Sequence, residues 1–304
     1  MGKASRIKQQ SAREKIAEQR AAAQKAERRN RILITGGSTL LVLVIVLAFV
    51  FIKLAENNTS SSSGSNSVTG TLLPANVSSQ VTGVPAATLN QVGKGAVPTY
   101  VANVLHRQAA MYPGQGAALT SNGKPQMLYI GAEFCPYCAA MRWSMAIALS
   151  RFGTLTALHG IHSSATDTDP STPTLTFYKS GYNSNYLTFT PVENQTVSHA
   201  TLQIPTSAQN AIWAKYEPNA QQRGYPFIAF GNKGALEGPI YDPGVLAGKS
   251  WSQVAAALKD PSSPIAQSVD GAANYVTAEI CKMTNNQPAS VCTSSAVTAV
   301  QSGL

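Results

Sequence analysis

Two cysteines with reactive spacing lie where the sequence predicts the start of a helix. An apolar run from Met127 to Ile130 leads through Gly131 into Cys135-Pro136-Tyr137-Cys138, and an Ala- and Met-rich segment follows. This order predicts a strand, a turn and a helix with the cysteine pair at its mouth. The unpaired N–H groups of a helix N-terminus favour an anion and lower the pKa of a thiol placed there. Cys135 is therefore the expected nucleophile, and Cys138 the thiol that resolves a mixed disulfide.

The charge of the chain is concentrated at its N-terminus. Residues 1–31 contain ten Lys or Arg and three Glu, a net of +7 out of +9, so the other 273 residues carry only +2. A basic face for DNA or RNA is not expected on a nearly neutral domain, and no nucleic-acid partner is predicted.

A long uncharged segment follows the basic one. The 21 residues from Ile32 to Ile52 lie between Arg31 and Lys53, enough for a helix to cross a bilayer. A cleavable signal peptide is the alternative, but the basic region is long and Lys53-Leu54-Ala55-Glu56 is a poor cleavage site. The Lys/Arg excess before the span predicts a cytoplasmic N-terminus.

The predicted organisation has four parts. A basic cytoplasmic segment (1–31) precedes a transmembrane helix (32–53), a flexible Ser/Asn-rich linker (54–80) and an extracytoplasmic domain (81–304). The protein is thus expected in the plasma membrane as a single-pass protein, with its folded domain outside. The basic segment serves either as a topology signal or as a contact for anionic lipid or a cytoplasmic partner.

Several further elements follow from local patterns. The apolar stretch Leu155 to Ile161 predicts a strand, and the polar segment from Ser163 to Pro205 predicts strands and loops. Helices are expected at Thr206–Tyr216, Ser250–Leu258 and Ile265–Ile280, and a strand at Tyr225–Phe230 with a hairpin partner at Leu236–Tyr241.

The four cysteines allow three pairings. Proximity selects Cys135 with Cys138, and Cys281 with Cys292, all in the part predicted to lie outside the cytoplasm. The turn-rich segment between Cys281 and Cys292 favours a structural disulfide. The alternative is that this second pair relays electrons to the first.

The histidines do not predict a metal site. His159 and His162 follow the first cysteine pair and superficially complete a Cys2His2 set. On a strand, a separation of three places the two imidazoles on opposite faces. No metal and no cofactor are predicted.

The cysteine unit and a distant proline together resemble the thioredoxin fold. In that family a cis proline before a central strand faces the CxxC turn, and Pro226 in Tyr225-Pro226 matches it. The resemblance implies an α/β fold: a thioredoxin-like mixed sheet flanked by helices, with an insertion (Ser163 to Pro205) and a C-terminal helical extension. It also implies a substrate groove formed by Tyr137, Tyr225 and Pro226, where the Tyr225 backbone pairs with an extended peptide.

A second resemblance covers about Val81 to Cys292. The runs LTSNGKPQMLYIGAEFCPYCAAMRW, ALSRFG, YPFIAFGNK, LAGKSW and ANYVTAEICKMTNNQPASVC are similar to the bacterial and archaeal family known as domain of unknown function 929. That resemblance implies a thioredoxin-like fold and no established substrate.

One departure from the thioredoxin pattern concerns proton transfer. Thioredoxins usually carry a buried acid six positions before the first cysteine, and here that position is Tyr129. The nearest carboxylate is Glu133, which either acts as a base for Cys138 or lies on the surface. The Pro-Tyr dipeptide resembles glutaredoxins, whose potentials are about −200 to −230 mV.

Two functions follow from these patterns. The first is a membrane-anchored extracytoplasmic thiol–disulfide oxidoreductase that acts on exported protein thiols or disulfides and is reset by an unidentified redox partner. The second is a redox-inert binding or scaffold module whose CPYC pair is a structural disulfide.

Overall fold

A mixed sheet flanked by helices lies at the centre of the computed structural model, which describes residues 69–104 and 110–303. The predicted cytoplasmic segment and transmembrane helix lie outside these residues. Within the described ranges, no helix is both long and apolar enough to span a bilayer.

The strands of the described residues are short, except for the one that leads to the cysteine pair. They are β1 Thr71–Leu72, β2 Ala110–Pro113, β3 Thr120–Ser121, β4 Lys124–Gly131, β5 Gly153–Thr156, β6 His159–His162, β7 Pro173–Thr176, β8 Gly181–Ser184, β9 Thr188–Glu193, β10 Phe227–Phe230 and β11 Gly234–Glu237.

The helices precede, connect and follow these strands. They are α1 Ala75–Thr82, α2 Ala86–Val92, α3 Val97–Val104, α4 Pro136–Ser150, α5 Ser207–Tyr216, α6 Trp251–Ala257, α7 Pro264–Met283, α8 Ala289–Cys292 and α9 Ser295–Gln301, with a 3₁₀ helix at Pro243–Leu246.

Strand β4 is the central strand of the main sheet. It pairs with β10 in antiparallel and with β9 in parallel orientation, while β11 and then β2 extend the sheet beyond β10. Ile130, near the end of β4, stands opposite Phe227 on one side and Val192 on the other. The cysteine pair therefore follows directly from the best-supported strand of the sheet.

Alternation along β4 divides the core between two layers. Met127 and Tyr129 join the large apolar cluster that contains residues of α4 and α7, whereas Leu128 and Ile130 pack with Trp213 of α5. Successive side chains of a strand point to opposite faces, so both faces of this strand are covered by helices.

Several predicted elements are confirmed, since local capping signals specify them. Helix α5 begins after Thr206 and α6 after Ser250, and each of these residues forms a capping box with a Gln three positions later. The hairpin of β10 and β11 is present, although β11 ends at Glu237 rather than at Tyr241.

Three sequence interpretations need correction. The predicted linker to residue 80 is too long, because β1 and α1 belong to the fold and Val77 and Val81 are buried. The single strand predicted at 155–161 is two strands, β5 and β6, separated where Ala157 adopts a φ of 54°. The segment 163–205 is not only an insertion, since its strand β9 forms part of the main sheet.

A disulfide closes the C-terminal helical region. Cys281 in α7 is bonded to Cys292 in α8, with a Cα–Cα distance of 5.6 Å, as the proximity of the two cysteines predicted. Both residues are buried.

Loss of this disulfide is expected to lower stability without affecting the other cysteine pair. In the loop-entropy model, closing a loop of this size contributes about 2–3 kcal/mol, so a Cys281→Ala/Cys292→Ala variant should lose about that much unfolding free energy. Urea unfolding of wild type and variant measures the difference. Alkylation of Cys135 should proceed at the same rate in both, and a slower rate in the variant would contradict a purely structural role.

Candidate functional site

Cys135 and Cys138 occupy the first turn of α4. Cys135 is the N-cap residue, Pro136 is the first helical residue, and the backbone N–H of Cys138 donates to the Cys135 Sγ at 3.3 Å. Proline is accommodated at this position because its missing N–H would have no partner there. Both thiols are free, and 5 % of Cys135 is exposed against none of Cys138. Cys135 is thus the thiol that a reacting partner reaches first.

The two thiols differ in their tendency to ionise. Burial raises the pKa of Cys135, but hydrogen bonds from the Cys138 side chain and backbone and the charge of Arg142 outweigh it, so the pKa is lowered. Burial, together with the hydrogen bond and charge of Cys135, raises the pKa of Cys138 well above its usual value. Cys135 therefore ionises first, as expected for the nucleophile.

The structure brings the predicted proline segment to the cysteine pair. The Tyr225–Pro226 peptide bond is cis, and the Tyr225 carbonyl oxygen lies 3.9 Å from the Cys135 Sγ. Cys135 and Tyr225 are 90 residues apart in sequence, and they meet because β10 pairs with β4.

Half-buried aromatic side chains surround Cys135. Phe134, Tyr137 and Tyr225 pack against the small apolar cluster that contains both cysteines. Phe134 stacks on the exposed His199 at 4.0 Å, and the Tyr225 hydroxyl donates to Asn194 at 2.9 Å. These rings limit access to the sulfur, so a reacting partner must contact them.

Glu133 lies in the interior rather than on the surface. Its side chain is fully buried and accepts hydrogen bonds from the hydroxyls of Thr69 and Thr176. Burial raises its pKa, although these hydrogen bonds oppose the shift. The surface alternative is wrong. The base alternative remains a hypothesis, since the hydrogen bonds of this carboxylate within the described residues go to Thr69 and Thr176.

A buried ion pair beneath the cysteines was not predicted from the sequence. Arg142 of α4 donates to Glu193 of β9 from Nε at 2.9 Å and from Nη2 at 2.7 Å, and both side chains are fully buried. Arg142 Nη2 also donates to the Ala132 carbonyl at 2.7 Å. The one signal in the sequence is a single charged residue within an otherwise apolar helix.

A family model matches residues 111–282, more than half of the chain. The chain belongs to the family described as Domain of unknown function (DUF929). No curated protein and no solved structure matches this chain.

The DUF929 match contains the complete site. Both site cysteines, the buried ion pair and Pro226 lie within it, whereas Cys292 of the structural disulfide lies beyond it. The match thus covers the cysteine pair, most of the sheet and nearly all of α7, and it ends before α8 and α9.

Tyr129 lies beside Cys138 in this DUF929 domain. A methyl group on Gly131 would collide with the Tyr129 hydroxyl and lie 3.0 Å from the Cys138 Sγ, so the hydroxyl and the sulfur border one small space. The hydroxyl is buried and has no hydrogen-bond partner within the described residues. The sequence placed Tyr129 on β4 but carried no signal that its hydroxyl would face a thiol.

The two histidines of the superficial Cys2His2 set lie on one short strand. His159 and His162 stand at the two ends of β6, and His162 packs beside Trp251 at 4.8 Å. Within residues 69–104 and 110–303, no three His, Cys, Asp or Glu side chains form a group suited to a metal ion.

Proposed function

We propose that this DUF929 protein is a thiol–disulfide oxidoreductase on a thioredoxin-like fold. The observation that carries the proposal is the position of Cys135. It caps α4, receives the Cys138 N–H and lies 3.9 Å from the carbonyl oxygen that precedes cis Pro226. Helix N-terminal thiols with lowered pKa values are typical of such exchange.

The sheet supports the proposed fold. A parallel strand (β9) and an antiparallel strand (β10) flank the strand that ends at the cysteine pair, and a hairpin partner (β11) follows. Pro226 immediately precedes β10, the position that the resemblance to thioredoxins assigns to the cis proline.

The proposed reaction has two exchange steps. The Cys135 thiolate attacks a substrate disulfide, forming a mixed disulfide and releasing one substrate sulfur as a thiolate. The Cys138 sulfur then attacks Cys135, which releases the second substrate thiol and leaves the Cys135–Cys138 disulfide; its proton ends on the departing thiol. The substrate is reduced by two electrons, and the pair is oxidised by two. The reverse sequence oxidises a substrate dithiol.

The substrate is proposed to bind as an extended peptide along the Tyr225–Pro226 segment. Tyr225 precedes β10, and its backbone N–H has no partner within the described residues, which leaves it available to a substrate backbone. Tyr137 and Phe134 would contact the side chains beside the reacting sulfur.

The proposed setting is the outer face of the plasma membrane, with exported proteins as substrates. The sequence pattern of residues 1–53 supports anchoring, and the buried Cys281–Cys292 disulfide suits an oxidising compartment. A separate redox partner would reset the Cys135–Cys138 pair after each turnover.

Variants of the two cysteines test the proposal. With a disulfide-bonded protein such as insulin, Cys138→Ser should accumulate a mixed disulfide because no thiol resolves it, whereas Cys135→Ser should form none. Gel electrophoresis without reductant, after acid quenching, separates these species. The Cys135→Ser/Cys138→Ser double variant is the control. If both single variants behave as wild type, the oxidoreductase proposal is wrong.

The burial of Cys135 favours one alternative, a binding module with a structural CPYC disulfide. Only 5 % of the residue is exposed. The midpoint potential of the pair distinguishes the two functions. A structural bridge should lie below about −300 mV, and an exchanging pair closer to the glutaredoxin range of about −200 to −230 mV.

A further inference from the structure

The hydroxyl of Tyr129 is an unsatisfied polar group in the interior. It is fully buried, and it has no hydrogen-bond partner within the described residues. Nearly all buried polar groups are hydrogen-bonded, so an exception of this kind calls for an explanation. The ring itself is held firmly, packing edge-to-face against Phe177 at 5.6 Å.

The surroundings of the hydroxyl point to Cys138 as its partner. Gly131 lacks the side chain that would otherwise fill the space between them, since any Cβ there would collide with the hydroxyl and lie 3.0 Å from the Cys138 Sγ. A neutral thiol is a weak acceptor, whereas a thiolate is a strong one. The hydroxyl and the sulfur border the same space, and loss of the Cys138 proton would turn a weak acceptor there into a strong one.

The positive charge of Arg142 acts on the same atom. Burial and Cys135 raise the pKa of Cys138, and Arg142 opposes them. The titratable and charged groups that face Cys138 include Cys135, Tyr129, Arg142 and Tyr225. Arg142 also forms an ion pair with Glu193. The Tyr129 hydroxyl and Arg142 Nη1 both lack a hydrogen-bond partner within the described residues, and of the two the Tyr129 hydroxyl borders the space beside the sulfur.

We infer that Tyr129 is a positioning residue for the resolving step, donating a hydrogen bond to the Cys138 thiolate as it forms. This inference rests on the proposed oxidoreductase function and deepens it. Tyr129 keeps its own proton, because burial raises the pKa of its hydroxyl well above the usual value. The proton of Cys138 still leaves with the departing substrate thiol, so the balance of the reaction is unchanged.

The inference predicts that the two exchange steps respond differently to Tyr129→Phe. Stopped-flow mixing of the reduced protein with the aromatic disulfide 5,5′-dithiobis(2-nitrobenzoate) should give two releases of coloured thiol. The rate of the first release depends on reagent concentration and reports the attack by Cys135. The rate of the second release is independent of reagent concentration and reports the attack by Cys138. Tyr129→Phe should leave the first unchanged and slow the second at least tenfold near pH 7, about the value of one hydrogen bond to an anion.

The pH profile of the second release separates a positioning role from a structural one. The rate of the second release should rise with pH in both proteins, but in Tyr129→Phe this rise should occur about one pH unit or more higher. The rates of wild type and variant should converge once Cys138 is ionised. Because the hydroxyl has no partner among the residues that the structure describes, its removal should not lower the melting temperature. Tyr216→Phe, on the opposite face of the sheet, is the matched control and should leave both releases unchanged.

The outcomes of this experiment are distinguishable. If the second release of Tyr129→Phe superimposes on that of wild type at every pH, the role of Tyr129 is wrong while the exchange reaction stands. If wild type itself gives no reagent-independent second release, the proposed function and this inference are both wrong.

Discussion

Replacing Arg142 with methionine should lower the unfolding free energy by about 3–5 kcal/mol. The substitution leaves the Glu193 carboxylate buried without its cation, and breaking one side of a buried ion pair typically costs that much. The Ala132 carbonyl next to the cysteine turn also loses a donor. Urea unfolding of the purified domain measures the loss.

The double variant Arg142→Met/Glu193→Gln is the matched control for this effect. It removes both charges while the glutamine oxygen can still accept the Phe177 backbone N–H that Glu193 accepts at 3.2 Å. Stability should recover in large part, since no unpaired charge remains buried. A double variant as unstable as Arg142→Met would contradict the ion-pair explanation and indicate that the arginine acts through packing.

The same double variant should make Cys135 less reactive. Burial already raises the pKa of this thiol, and the charge of Arg142 is one of the effects that lower it, so removing the charge should raise the pKa. The rate of iodoacetamide alkylation as a function of pH should shift to higher pH. An unshifted profile would mean that the helix terminus alone sets the ionisation of Cys135.

Stability is also expected to fall steeply as pH rises, because of Asp270. This residue in α7 is fully buried, neither of its carboxylate oxygens has a hydrogen-bond partner within the described residues, and burial raises its pKa to about 8. In the unfolded chain its pKa is about 3.9. At a pH between these two pKa values, the folded protein therefore keeps a proton on Asp270 that the unfolded chain has released.

The sign of the effect follows from proton linkage. Below about pH 4 both states are protonated and the contribution of Asp270 to stability is complete. As pH rises toward 8 this contribution is lost, at up to about 1.4 kcal/mol for each pH unit, or about 5–6 kcal/mol in all. Burial likewise raises the pKa values of Glu133 and Glu237, so both add to the trend in the same direction.

An Asp270→Asn variant isolates this contribution. Unfolding free energies at pH 4.5, 6.0 and 7.5 should decrease markedly in wild type and much less in the variant, which should be the more stable protein at pH 7.5. Asp242→Asn is the control, because Asp242 is exposed and asparagine preserves its capping role. Parallel pH profiles for wild type and Asp270→Asn would show that Asp270 is ionised in the folded protein.

Structure near the cysteine pair was predictable because it depends on short-range interactions. The strand before Gly131, the cap at Cys135 and the proline at the first helical position are each specified within a few residues. The same holds for the capped helices α5 and α6. The position of Pro226 followed from a resemblance, since nothing local in the sequence relates it to Cys135.

Interpretations failed where distant parts of the chain compensate for weak local signals. The polar composition before residue 80 favours a linker, yet Val77 and Val81 of α1 are buried in the core. The strand β9 lies in a polar segment and is ordered by its parallel pairing with β4. Composition alone does not reveal such pairing, because the partner supplies the hydrogen bonds and the apolar surface.

By itself the sequence determined a cysteine pair at a helix mouth, a second cysteine pair close enough to bond, and a chain whose charge is concentrated before a long apolar run. Only the tertiary structure decided which groups surround the thiols. It directs Glu133 toward Thr176, pairs Arg142 with Glu193 across 51 residues, and leaves the Tyr129 hydroxyl beside Cys138. The physical reason is that burial and electrostatics depend on how distant segments pack, and no local pattern encodes that packing.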